Sequence, residues 1–403
     1  MDKKVKKLWI FAGETSGDIY GAKLAEEAKK IAADKGIELK LAGMGSKRMA
    51  AAGVDLLVDS TELGVMGVVE TLRLIGTFVK IFFKLVNLAK KERPDAVVLI
   101  DYPGFNLRFA KKMEKLNIPV IWYISPQIWV WGKKRKPVLE RICSKMMVIF
   151  PFETEVYDQT KLDVSFVGHP LLEIVQERTD ASIERDPNCF LLLPGSRSGE
   201  VSRLLEPMLD TVCELHKKHP QLYFVIAASR EKMRKMCEKI IEQYRSKHPE
   251  LPEVRLSEES TAYYQQKAAT GIAASGTVTV ESAIAGLPLV VIYKMNFITV
   301  LIAAVLVKLY RGYFTMVNII ANKTVFEEFF QWKVCKKNLV PAVEKILPGG
   351  SRRAEVEEQM KELVDMLSSH GRKPSLAAAE SCIEVIEDQK VIEYNNQQQD
   401  GIK

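Results

Sequence analysis

The chain has 403 residues, a formal net charge of +7, 47% hydrophobic and 27% charged residues, enough for two domains with separate cores and too apolar for wholesale disorder. The modest positive balance suits anionic partners such as nucleotides, phosphorylated substrates or acidic lipid, and no basic arm with interleaved aromatics marks a nucleic-acid binder. Six cysteines without a CxxC pair and five histidines without metal-ligand spacing read as free thiols in a reducing compartment and no metal site.

The N-terminus, MDKKVKKLWIFAGE, has a basic start, but its short apolar run ends in a Gly-rich turn. It reads as a first strand and not as a signal peptide. No segment reaches ~18 uncharged apolar residues, so no transmembrane span is expected, and the expected location is the cytoplasm. The runs 8–13, 39–43, 96–101, 120–125, 147–150 and 164–168 read as buried parallel strands separated by helices. Strict alternation of the two implies a parallel sheet covered on both faces.

Within this stretch GVMGVVETLRLIGTFVKIFFKLV, residues 64–86, is unusually apolar for a soluble helix. On a helical wheel Glu70, Arg73, Thr77, Lys80, Lys84 and Asn87 gather in a polar stripe of about 100°. Val65, Val68, Leu72, Ile75, Val79, Phe82 and Val86 form one apolar seam, which Met66, Leu74, Phe78, Ile81 and Leu85 extend. The charges exclude a span, yet the apolar surface exceeds one packing contact.

The pattern pauses at 168–188 and resumes with strands at 189–195, 222–229, 271–275 and 287–294. The fold class expected is therefore α/β: two doubly wound Rossmann-like domains facing a cleft, with C-terminal helices. The expected divisions are 1–168, 169–345, helices over 346–388 that fold back on the first domain, and a polar tail over 389–403. Ligands of open α/β sheets bind beyond the carboxyl ends of the strands, so the strand-to-helix turns are where chemistry is sought.

In LLLPGSRSGEVSRLL a strand ends at Gly195–Ser196–Arg197 and a helix follows. Small residues allow close backbone approach, the helix N-terminus offers free N–H groups, and Arg197 adds a planar fork for phosphate. A second such turn, Ser275–Gly276–Thr277, is followed by Glu281 on the next helical turn, placed to accept from both hydroxyls of a ribose. Together they favour a nucleotide diphosphate. In the first domain Glu14, Ser16, Gly17 and Asp18 cluster at a glycine-rich turn that is not GxGxxG. Asp101 ends a strand in AVVLIDYPGFN, either as a general base or as a carboxylate capping the next helix. Gln127 lies in the loop SPQIWVW.

The motifs AGETSGD, LIDYPGFN, SPQIWVW, VGHPL, LLPGSRSGE, ASGTVTVE and MVNIIA, in that order, resemble the lipid-A-disaccharide synthases, inverting glycosyltransferases of the two-Rossmann-domain GT-B type. The resemblance implies transfer of a sugar from UDP-2,3-diacylglucosamine to 2,3-diacylglucosamine 1-phosphate (lipid X), with no cofactor. It implies Asp101 as the base. It implies that Gly195, Ser196, Arg197, Ser275, Gly276 and Thr277 hold the diphosphate, that Glu281 holds the ribose, and that Asn318 belongs to the donor site. Glu14, Ser16, Gly17, Asp18 and Gln127 fall on the acceptor side. With acylated substrates implied, Met66, Val68, Val69, Leu72 and Ile75 become candidate contacts with acyl chains or the inner leaflet. Residues 295–311 are a second such candidate. The implied setting is the cytoplasmic side of the inner membrane of a Gram-negative-type bacterium, with a homodimer left open. The same frame also occurs in UDP-N-acetylglucosamine 2-epimerases and in the transferase acting on a peptidoglycan lipid. A non-catalytic nucleotide-sugar binding module at the membrane is the remaining alternative.

Overall fold

The computed structural model describes residues 4–60, 68–129, 135–228, 230–295, 312–369 and 371–388, without the side chains of 68–75 and 77. Met66 and the segment 296–311 lie outside the described residues, as do the side chains of Val68, Val69, Leu72 and Ile75. The chain forms two compact units, one running to Pro170 and resuming at Leu367, the other spanning Leu171–Met366.

The first unit is built on seven strands: β1 (Lys4–Ala12), β2 (Ile37–Gly45), β3 (Asp55–Asp59), β4 (Ala96–Ile100), β5 (Val120–Tyr123), β6 (Lys145–Val148) and β7 (Asp163–Phe166). They pair in parallel in the order β3-β2-β1-β4-β5-β6-β7. The chain winds outward through β2 and β3, returns beside β1 as β4, and winds outward the other way. That reversal opens a crevice at the carboxyl ends of β1 and β4, where Ala12 stands opposite Ile100. Glu14 and Asp101 follow these two strand ends in sequence.

The second unit repeats the device with β8 (Asp186–Leu193), β9 (Tyr223–Ile226), β10 (Val254–Leu256), β11 (Ala268–Ala274), β12 (Leu289–Tyr293) and β13 (Glu328–Phe330). Their order is β10-β9-β8-β11-β12-β13, again all parallel. The reversal falls between β8 and β11, where Leu193 stands opposite Ala273. The turns Gly195–Arg197 and Ser275–Thr277 are thereby brought side by side.

Central strands such as β4 and β5 are buried at every residue, as sheets covered on both faces require. The apolar stretch at 64–86 becomes the helix Val68–Glu92. Its C-terminal half packs Phe78, Ile81, Phe82, Leu85, Val86 and Ala89 on the first core, with the Phe82 ring edge-on to Phe105 at 5.6 Å. Val79, a member of the apolar seam, is 47% exposed, and Phe83 is 52% exposed. One sheet face accepts one row of side chains at three- and four-residue spacing, and this helix carries more apolar surface than that row contains.

The two C-terminal helices part company. Arg353–Leu367 belongs mostly to the second unit, where the Arg353 guanidinium donates to the Ala269 and Ile346 carbonyls at 2.5 and 3.0 Å. Pro374–Glu387 returns to the first unit. There Glu384 accepts from the buried Lys145 ammonium at 3.1 Å, and the helix buries Ala378, Ala379, Cys382 and Ile386.

Candidate active site

In the first unit the crevice is shaped by an unusual backbone. Asp101 and Tyr102 are consecutive left-handed residues, with φ of 46° and 47°, each costing ~1–3 kcal/mol unless the surroundings hold it. They are held. The Asp101 N–H donates to the Tyr123 carbonyl at 2.9 Å, and the Asn106 amide donates to the Asp101 carbonyl at 2.7 Å. The Tyr102 ring occupies the space that a side chain at Gly13 would need, so that glycine is dictated by close approach.

Burial first, and the neighbouring Glu14 carboxylate second, push the Asp101 carboxyl up to about 6, opposed by the Tyr102 N–H. The residue still presents an open surface, so solvent screens part of this effect; the direction stands on two independent causes. A second carboxyl, Glu153, is 1% exposed and accepts the N–H groups of Ile149 and Phe150 at 3.3 and 3.2 Å. Burial outweighs these bonds and pushes it up to about 7.

The other first-unit residues divide by role. Asp18 is buried, and its carboxylate accepts from the N–H groups of Ser46, Arg48 and Met49 at 2.5, 3.2 and 3.3 Å. It caps the neighbouring helix Lys47–Ala51 and is committed to structure. Gly17 is buried, and a side chain there would press on Ala12. Ser16 and Gln127 are exposed.

The second unit holds a cavity of about 750 Å³. It gathers Gly195, Ser196 and Arg197 from the turn after β8, Ser275, Gly276 and Thr277 from the turn after β11, and Glu281 from the helix Thr277–Ile284. Two helices, Ser198–Lys218 and Thr277–Ile284, start at this cavity, so their free N–H groups and positive dipole ends favour an anion. Burial raises the Glu281 carboxyl, while Arg178 and Gln265 oppose the rise.

Asn318 does not line this cavity. It is buried, and its amide donates to the Phe326 carbonyl at 2.8 Å and to Glu328 at 3.1 Å. Its oxygen accepts from the N–H groups of Val325 and Phe326, both at 2.9 Å. That clamp uses its hydrogen-bonding capacity and fixes Glu328, which accepts from the Phe314 and Thr315 N–H groups at 3.0 Å. Asn318, expected at the donor site, thus braces the segment Val325–Glu328.

Four polar lining groups are not expected from the sequence: Arg178, Glu200, Arg230 and the Ser260–Thr261 helix start. Arg230 had a usable signal, since it follows β9 at a third strand-to-helix turn of the same sheet. Arg178 lies in the polar pause at 168–188, which carries no strong strand signal. Three arginines against two glutamates line the cavity. Among the described residues, no group of three or more His, Cys, Asp or Glu side chains is placed to hold a metal ion.

A family model described as lipid-A-disaccharide synthetase matches residues 8–382. The lipid-A-disaccharide synthase of Syntrophus aciditrophicus (strain SB) is 34% identical over 373 residues, covering 91% of this chain and 94% of that protein. That of Trichlorobacter lovleyi is 34% identical over 379 residues, covering 92% and 96%. Among solved structures, the S. aureus MnaA-UDP co-structure aligns with a TM-score of 0.60 at 12% identity, covering 95% and 96% of the two chains. The UDP-GlcNAc 2-epimerase from Neisseria meningitidis bound to UDP-GlcNAc aligns with a TM-score of 0.57 at 12% identity, covering 94% and 99%. At such identity the structures speak to the fold alone, a GT-B-like α/β architecture. Matched along nearly its whole length, the chain belongs to the lipid-A-disaccharide synthase family.

Proposed function

We propose that this chain is an inverting hexosyltransferase that joins UDP-2,3-diacylglucosamine to 2,3-diacylglucosamine 1-phosphate, giving the β-1,6-linked disaccharide 1-phosphate and UDP. The observation that carries the reading is the convergence of two anion-suited turns and a ribose-suited carboxylate on one cavity, in a chain of this family. The acceptor 6-hydroxyl attacks the anomeric carbon as the bond to UDP breaks, and Asp101 takes the hydroxyl proton. A carboxyl raised toward about 6 stays mostly ionised at neutral pH and is a stronger base than an ordinary aspartate. The leaving diphosphate gains charge, which Arg197 and the two helix N-termini offset. Glu281 accepts from the ribose hydroxyls.

Acylated substrates call for an apolar surface. Val79 and Phe83 are exposed on the helix Val68–Glu92, and helical spacing continues their row in sequence through Gly76 to Leu72 and Val68. This supports peripheral contact with a membrane surface through that helix. No described helix is long and apolar enough to cross a membrane. The homodimer alternative, in which the helix Pro374–Glu387 is traded between copies, is read by sedimentation equilibrium.

The test is incubation with the two diacylated substrates. Release of UDP with formation of the disaccharide supports the reading; no UDP release overturns it. UDP-N-acetylglucosamine supplied alone separates the epimerase alternative, which makes UDP-N-acetylmannosamine.

A further inference from the structure

The phosphate-suited donors of the cavity already hold an anion. One oxygen of Glu200 accepts from the N–H groups of Ser196 and Arg197 at 3.1 and 3.3 Å, and the other accepts from the Arg197 guanidinium at 3.2 Å. Ordinary helix capping, in which the N3 glutamate reaches back to the N-cap backbone, accounts for the N–H of Arg197, the N-cap of the helix Ser198–Lys218. It accounts neither for the Ser196 N–H, which lies before the helix, nor for the guanidinium. Gly195 makes this reach possible: at φ of 110° it carries no side chain, and a Cβ there would sit 2.5 Å from the Glu200 oxygen.

The two partners also differ in shelter. The Glu200 side chain is 13% exposed and that of Arg197 is 83% exposed. A carboxylate fixed against the loop is thus paired with a guanidinium that can leave at little cost, because an exposed ion pair holds its members weakly. Each N–H is a single donor. A diphosphate that uses the Ser196 and Arg197 donors must take them from Glu200.

We propose that Glu200 is an intramolecular stand-in for the donor's phosphate. It is a positioning residue that keeps Ser196 and Arg197 in binding geometry, yields them to the diphosphate, and reclaims them as UDP departs. The inference rests on the UDP reading above and adds a competitor that limits the hold on the product.

Titration calorimetry with UDP and with uridine, on wild type and Glu200→Gln, tests it. The glutamine keeps the shape without the charge. It should bind UDP about tenfold tighter, or ~1.4 kcal/mol, with uridine affinity and melting temperature unchanged and UDP product inhibition strengthened to match. A residue that only shapes the loop gives the opposite sign: weaker UDP binding with a lowered melting temperature. UDP affinity that is unchanged or weaker in the variant overturns the proposal. Should Glu200→Gln fail to fold, Glu200→Asp, which withdraws the charge by one methylene, carries the same expectation and the same refutation. Wild type that binds no UDP overturns the reading beneath it.

Discussion

The assignment of Asp101 as base makes a prediction about pH that a structural role does not. Its carboxyl rises from 3.8 to about 6 for two reasons, burial first and the Glu14 charge second. The ascending limb of kcat/KM should therefore have its midpoint near pH 6, or below it to the extent that solvent screens the exposed side. Glu14→Gln removes the second cause and leaves the first. Since Glu14 is the smaller of the two raising causes, the midpoint should move acidward while remaining above the ordinary aspartate range. Asp101→Asn should abolish the limb and lower kcat/KM by about 10²–10⁴-fold on the plateau above it, the usual worth of a positioned base. The assay is initial-rate UDP release from pH 4.5 to 8, with UDP binding measured alongside. An Asp101→Asn enzyme that keeps more than about a tenth of wild-type kcat/KM would refute the base assignment. A limb unmoved in Glu14→Gln would refute the electrostatic coupling.

Three further outcomes follow from other parts of the fold. Asn318→Ala leaves the Val325 and Phe326 N–H groups without their acceptor, at ~1–3 kcal/mol each. Urea unfolding should show a loss of about 2–6 kcal/mol, and a fully stable variant with weakened UDP binding would return Asn318 to the donor site. Glu153 has a folded pKa of about 7 against 4.5 unfolded, so its contribution to stability is fully present below about pH 4.5 and is lost as pH rises through about 7, a fall on the order of 3 kcal/mol. Glu153→Gln should flatten that part of the stability profile; an identical profile in the variant would exclude it as the source. Replacing Val79 and Phe83 with serine should free the protein from anionic vesicles in a sedimentation assay, with folding stability changed by no more than ~0.5 kcal/mol because both are exposed. Undiminished vesicle binding would move the membrane contact elsewhere.

The alternation of strands and helices was legible because central strands are buried on both faces and so must be continuous apolar runs. For the same reason β3, β10 and β13 escaped notice. They are short edge strands with one neighbour, and DLLVD or EFF carries no such run. The two anion-suited turns and Glu281 were legible because glycines, hydroxyls and a helix start are local features. Asp18 and Asn318 show the limit of that logic. The motif of each suggests a site residue, while the Asp18 carboxylate accepts from N–H groups of another segment, 28 residues away at Ser46, and the Asn318 amide bonds the backbone and a carboxylate of the segment Val325–Glu328.

By itself, then, the sequence determined the α/β winding, the two turns that line the second-unit cavity, and the family. Local backbone preference and burial on two faces are written into neighbouring residues. Only the tertiary structure decided that Arg178 and Arg230 join the cavity, that Glu14 lies beside Asp101, and that Glu200 accepts from the Ser196 and Arg197 N–H groups. It also decided that the last helix returns to the first unit while its predecessor stays with the second. Such facts depend on which distant side chains the sheet reversals bring together, and no local pattern encodes a distance between residues that far apart in the chain.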